Sequence, residues 1–343
     1  MMLQPNNRFL PIFLCALLLG TTPLFSQVKL IFDTDFGGDA DDLGALAMLH
    51  HFVDAGECDL LAIMCWSTEE YAIPGLDAVN RFYNHPDIPI GVRKGETHFT
   101  DWNHSKPIVD VFPSQFTYEK AEEATQLYRK ILAQSEDQSI VIITVGPMKN
   151  IMNLLQSEPD VYSDLDGKAL IEQKVKEFAI MGGQFPEGKK EWNFDGNMPG
   201  VTRYVLDHIT VPITFTGFEV GVAIKSGEVF NDIDPETPLY IGFKHFSEYA
   251  PWIKEGFRGK ILDNSTFDQT AVLYAVRDGV GKYWDRVEGG YCLADSTGGN
   301  QWIPKANSNH TYLKLKMEPE ALAQEIESYM LGTFSTAKAT EPD

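Results

Sequence analysis

Asp33, Asp35, Asp39, Asp41 and Asp42 put five carboxylates into the ten-residue stretch Asp33-Thr34-Asp35-Phe36-Gly37-Gly38-Asp39-Ala40-Asp41-Asp42. Like charges this close repel. A hard divalent cation relieves that repulsion, and Ca²⁺, which gathers many oxygen ligands from flexible carboxylates, suits the set better than zinc, which prefers nitrogen and sulfur. Aspartates at a helix start also satisfy free amides and complement the helix dipole, which accounts for Asp41 and Asp42 but not for Asp33 and Asp35 ahead of them. An EF-hand is excluded, because a loop opening at Asp33 needs Glu at its twelfth place, where Gly44 stands.

The elements around this stretch explain its position. Val28 to Phe32 is an apolar, strand-like run that ends in Asp33, and Asp42 to Phe52 carries Leu43, Leu46, Ala47 and Leu49 at helical spacing. Leu60 to Cys65, Leu76 to Tyr83 and Ile88 to Val92 continue as strand, helix and strand. A β-α-β-α-β series predicts an α/β fold with a mostly parallel central sheet, covered by helices on both faces, in an open Rossmann-like core. In such a sheet ligands bind at the carboxyl ends of strands, which is where the acidic stretch falls. Residues Gly95 to Phe116 show no period and are expected to be a long loop. Glu119 to Gln134 is expected to be a helix, Ser139 to Thr144 a buried strand, and a helix is expected to follow Gly146-Pro147 as far as Leu155. Phe178 to Met181 and Tyr312 to Leu315 have strand character, and Thr266 to Val276 and Glu318 to Leu331 helical spacing.

Bulk properties narrow the class. The chain has 343 residues, 43% hydrophobic, with a formal net charge of −21, so polyanionic nucleic acid and anionic membrane are poor partners while cations and neutral small molecules are favoured. Arg8, the apolar run Phe9 to Gly20 and the small-residue end at Ser26 have a signal-peptide layout, although Leu24-Phe25-Ser26 lacks a small residue three places before the cut. The sequence divides into a leader (residues 1–26), one domain (27–334) and a tail expected to be disordered (335–343). The leader implies a periplasmic or secreted protein. Beyond it, Cys58, Cys65 and Cys292 are too few and too scattered for a disulfide framework, and C-x6-C without nearby histidines is a poor zinc site.

The motifs together resemble the nucleoside hydrolase family, the inosine-uridine preferring, calcium-dependent ribonucleoside hydrolases. Their first strand ends in D-x-D-x-G and is followed by a D-D pair opening a helix. Val145-Gly146-Pro147-Met148-Lys149-Asn150 is similar to the family's G-P-L-T-N turn, Met181-Gly182-Gly183 with Glu191-Trp192-Asn193 to its M-G-G and E-F-N elements, and Phe267-Asp268-Gln269-Thr270-Ala271-Val272 to its late H-D-P-x-A-V. The elements occur in family order from residue 31 to about 275, most of the chain. The resemblance implies that Asp35 ligates Ca²⁺ and serves as general base, that Asp42 and Asp268 are further ligands, and that Val145 gives its backbone carbonyl. Asp41, Glu191 and Asn193 would hold ribose hydroxyls, with Trp192 and Phe267 also lining the substrate. Cleavage of a nucleoside or related N-riboside would then pass through an oxocarbenium-like sugar.

Three departures matter. The spacing from D-x-D to D-D is two residues longer than the family's, so Asp39 is an extra carboxylate that could exchange roles with Asp41. Phe267 stands where many members have the histidine that protonates the departing base. The loop from Gly183 to Glu191 is short and lacks the usual sugar-binding asparagine. Leaving-group activation is left to stacking on Trp66, Trp102 or Trp192, or to His98 or His104. Two other functions fit parts of the sequence: a calcium-dependent riboside or sugar binder that does not hydrolyse, and a haloacid-dehalogenase-type phosphatase built on Asp33-Thr34-Asp35. The latter makes no use of Asp39, Asp41 and Asp42. A homo-oligomer is compatible with the sequence.

Overall fold

The first strand, Val28–Thr34, pairs in parallel with Cys58–Cys65 on one side and with Ile140–Thr144 on the other. It is buried on both faces: Leu30 and Phe32 pack into one apolar layer and Ile31 into the opposite one. Val141 and Ile143, against Ile140 and Ile142, divide in the same way. This is why these runs read as continuously apolar rather than alternating. The computed structural model describes residues 27–334. The expected leader and tail lie outside the described residues.

Across the sheet, Glu122–Glu123, Ile90–Val92, Cys58–Cys65, Val28–Thr34, Ile140–Thr144, Val175–Met181, Ile213–Thr216 and His310–Leu315 lie side by side, all parallel. Trp284–Ala294, Asn300–Pro304 and Glu187–Gly188 then extend it antiparallel. The helices Asp41–Asp54, Asp268–Arg277 and Pro319–Met330 cover one face, and Ala124–Gln134, Lys149–Leu155 and Val201–His208 the other. The chain winds outward from Val28–Thr34 in one direction, then returns to place Ile140–Thr144 on its other side. The order of strands therefore reverses between these two, and the crevice beyond their carboxyl ends is where such sheets bind ligands.

Two expectations need correction. The stretch Gly95 to Phe116 is not all loop, because Ser105–Val111 forms a helix too short to show a period, with Pro107 in its first turn. The helix expected from Glu119 begins at Ala124, where the Glu123 side chain accepts the Gln126 N–H (3.1 Å) as its cap. Glu122–Glu123 instead pairs with Gly91 and Val92 at the sheet edge. Cys58, Cys65 and Cys292 are free, buried thiols. No helix among the described residues is long and apolar enough to cross a membrane.

Candidate active site

Thr34 ends the first strand and Asp41 opens the first helix, so the acidic stretch is the turn between them, at the switch point of the sheet. Its five aspartates do not share one environment. Asp33 still lies in the strand and faces away from the crevice, where its carboxylate accepts Tyr128 O–H (2.8 Å) and Asn150 Nδ2–H (3.0 Å). Burial pushes it up to about 7. Asp39 accepts the Ala40 N–H (2.6 Å), the Asp41 N–H (3.4 Å) and the Asn264 amide, which ties it to the start of the helix.

Asp41, Asp42 and Asp268 converge, each offering an oxygen within 4.8 Å of the others. Asp268 opens the helix Asp268–Arg277 and its N–H donates to Asp41 (3.4 Å), so the amino ends of two helices meet at these carboxylates and favour their charge. Thr34 Oγ1 donates to Asp42. Burial first, and then neighbouring aspartates, hold Asp41, Asp42 and Asp268 well above the usual carboxylate range. All three are at most 4% exposed, and no lysine or arginine side chain bonds to them among the described residues. A buried, all-oxygen set without a lysine or arginine counter-charge among the described residues fits a hard cation.

Asp35 lies near this set, close enough for its charge to act on all three. Its Oδ2 accepts the indole N–H of Trp192 (2.8 Å), and burial raises it to about 6. Gly146, in the turn after Ile140–Thr144, comes so near that a Cβ there would stand 2.8 Å from the Asp35 nitrogen. Val145, whose N–H bonds to the Asp33 carbonyl (2.8 Å), turns its own carbonyl toward the Asn193 amide (2.9 Å). Asn193 Nδ2 also reaches the Met181 carbonyl (3.1 Å). Glu191 caps the short helix Trp192–Asp195: its oxygens accept the N–H groups of Asn193 (2.9 Å), Phe194 (3.1 Å) and Gly183 (2.9 Å). Burial lifts it to about 7.

Every residue expected at the site, Asp35, Asp41, Asp42, Val145, Glu191, Trp192, Asn193, Phe267 and Asp268, lines one cavity of about 850 Å³. Their internal bonds refine the expected division of labour. Asp41, expected at the sugar, joins Asp42 and Asp268 in the convergent set. Glu191 and Asn193 spend most of their bonding capacity on the backbone, so they shape the turn whatever else they hold. Phe267 stacks on Phe218 (5.2 Å between ring centres, 28° between planes), and the pair supplies an apolar part of the cavity wall. His98 lines the cavity, its Nδ1 beside Thr68 Oγ1 (3.3 Å). His104 does not: it is fully buried against Phe36, and burial lowers it to about 3. Asn264, Phe218 and Trp252 were invisible in the sequence as site residues, because only tertiary neighbours bring them there.

The family model described as inosine-uridine preferring nucleoside hydrolase matches residues 30–314. The structure is similar to a plant nucleoside hydrolase, with TM-score 0.65, 16% identity, and coverage of 88% of this chain and 98% of that one. It is similar as well to a purine-preferring ribonucleoside hydrolase from Gardnerella vaginalis (TM-score 0.64, 15% identity, 89% of this chain and 97% of that one). A third likeness is to an inosine-uridine preferring nucleoside hydrolase from Bacillus anthracis (TM-score 0.63, 13% identity, 89% and 99%). At these identities the likenesses speak to fold. No curated protein matches the sequence.

Proposed function

The chain belongs to the inosine-uridine preferring nucleoside hydrolase family, a family of metal-dependent N-glycosidases acting on ribonucleosides, and from that premise we propose how this cavity does the work. The metal would be calcium, and Asp35, Asp42, Asp268 and the Val145 carbonyl would hold it, with Asp41 beside them. The observation that carries this reading is the convergence of Asp41, Asp42 and Asp268, buried and without a cationic partner, from segments far apart in the chain. When bound, the ion supplies positive charge that orients the vicinal hydroxyls of a ribose and acidifies the attacking water.

Asp35 takes the proton of the attacking water as the water oxygen bonds to the anomeric carbon and the carbon–nitrogen bond breaks, its electron pair leaving with the base. Because Oδ2 is engaged by Trp192, Oδ1 is the oxygen free to accept it. Asp41, Glu191 and Asn193 hold the ribose hydroxyls, and the surrounding carboxylates stabilise the oxocarbenium-like sugar. Trp192 and Phe267, backed by Phe218, face the departing base. The leader expected over residues 1–26 would place the reaction in the periplasm or outside the cell, where calcium is plentiful.

The test is an assay of reducing sugar released from inosine, adenosine, uridine and cytidine with calcium or with chelator. Release with calcium alone is expected, and Asp35→Asn should lower it about 10²- to 10⁴-fold, as loss of a general base does. Calorimetry should find that Asp268→Ala binds calcium far more weakly. A wild type that binds nucleosides but releases no sugar would make the protein a binder and overturn the reading.

A further inference from the structure

Trp192 is a large aromatic residue with 49% of its surface exposed, yet its indole is bonded to a half-buried carboxylate 157 positions away in the chain. Its backbone is not free to wander. Residue 192 opens the turn that Glu191 caps, Asn193 is tied to the Val145 carbonyl, and Lys190 pairs with Asp195 (2.9 Å) across that turn. On the ring side Trp66 meets Trp192 edge-on (6.3 Å, 86°), and Arg93 lies over the Trp66 ring at 4.7 Å. The indole is thus held from behind and from the side, with its N–H aimed at Asp35.

An indole N–H is a donor only, so this bond engages one specific acceptor oxygen of Asp35. A carboxylate otherwise turns about its last torsion, which is broad and roughly two-fold. We propose that Trp192 is a positioning residue: its N–H holds Oδ2 and so fixes the rotation of the carboxylate, leaving Oδ1, on the Gly146 side, as the oxygen that takes the proton, and its ring lies against Asp35. The family element similar to this turn carries Phe at the corresponding place, which can cover but cannot donate. The inference rests on the reading of Asp35 as the base, and it assigns to Trp192 a role in catalysis distinct from contact with the nucleobase.

Trp192→Phe keeps a ring and removes the donor, whereas Trp192→Ala removes both. On inosine with calcium, Trp192→Phe is expected to lower kcat about ten- to a hundredfold, the range of one charge-assisted hydrogen bond, with KM changed less than about twofold. Trp192→Ala should lower kcat as much and raise KM as well. If Trp192→Phe raises KM and spares kcat, or changes neither, the residue is only a wall and the proposal fails. A second measurement does not depend on turnover. In nitrogen-edited NMR the Trp192 indole signal, assigned by its loss in Trp192→Phe, should lie downfield and move in both Asp35→Asn and Asp35→Ala; a signal indifferent to Asp35 overturns the contact. A wild type that cuts no nucleoside would sink the proposed function, while the NMR result would still decide for or against Trp192.

Discussion

His98 and His104 come from one stretch of chain and end in opposite environments, and the difference assigns them different work. His98 sits in the cavity wall with Nδ1 beside the Thr68 hydroxyl, so Nε2 is available to a ligand. Both ring nitrogens of His104 lack a partner among the described residues, and burial keeps the ring neutral. With Phe267 unable to give a proton, His98→Gln is expected to lower kcat for inosine about a hundredfold, within the range of a lost general acid. His104→Phe should leave kcat unchanged and hold or raise the melting temperature, since an apolar ring replaces an unpartnered polar one. Steady-state kinetics and thermal melts check both, and wild-type turnover in His98→Gln would leave leaving-group activation to stacking alone. The acidic turn at Asp35 and Asp42 stood out from its own residues, between a strand end and a helix start, whereas Val145 and Asp268 were legible only through the family resemblance, since by themselves they read as a core residue and a helix cap. The bond from Trp192 to Asp35 and the stack of Phe218 on Phe267 leave no local signal. The phosphatase alternative falls with the family assignment, and Asp33, on which it depended, faces Tyr128 and Asn150 rather than the crevice.

At the scale of elements, the site depends on how closely the turn after Ile140–Thr144 approaches the turn after Val28–Thr34. Gly146 makes that approach possible: a Cβ there would stand 2.9 Å from the Asp35 Cβ as well as 2.8 Å from its nitrogen. Gly146→Ala must therefore push the Asp35 backbone aside. The expected cost is about 1–3 kcal/mol of stability, as for other overpacked positions, with a loss of kcat larger than that instability explains. Denaturant unfolding and kinetics on the same sample test it; a folded variant with normal kcat would show that Asp35 tolerates displacement. Buried strands such as Ile140–Thr144 were readable because a run apolar on both faces has few other uses. The strand Trp284–Ala294 was missed because Gly289 and Gly290 interrupt its alternation where the pairing with His310–Leu315 shifts register. Pro238–Tyr249 was missed although it carries a start signal, Thr237 accepting the Tyr240 N–H (3.3 Å) with Pro238 behind it. Such a signal becomes decisive only when an apolar period follows, and Gly242, Lys244 and His245 blur that one.

At the scale of the whole molecule, charge limits what can enter and under what conditions the fold holds. The chain carries −21 overall, and Lys190, the one lysine or arginine lining the cavity among the described residues, is engaged by Asp195 (2.9 Å). A nucleoside 5′-monophosphate would bring a dianion among carboxylates with no unpaired lysine or arginine among the described residues of the cavity wall to receive it. Its kcat/KM is expected to be at least about a hundredfold below that of the parent nucleoside, and parity between the two would refute the argument. The same carboxylates set the pH dependence of stability. Burial raises Asp33 to about 7, Asp35 to about 6 and Glu191 to about 7, while in the unfolded chain such groups titrate at about 4. A raised carboxyl pKa means that the folded state holds its protons more tightly, so the stability it contributes is fully present below about pH 4 and is lost as pH rises through about 6–7. Chelated protein should accordingly melt lower at pH 8 than at pH 5.5, the reverse of ordinary acid denaturation. Calcium supplies the missing positive charge only where the carboxylates are ionised, so it should raise the melting temperature at pH 8 by at least about 5 °C and much less at pH 5.5, flattening the profile. Melting temperatures that climb with pH in chelator, or a calcium effect equal at both values, would mean that the carboxylates find their counter-charge within the protein and that the crevice was not built around a cation.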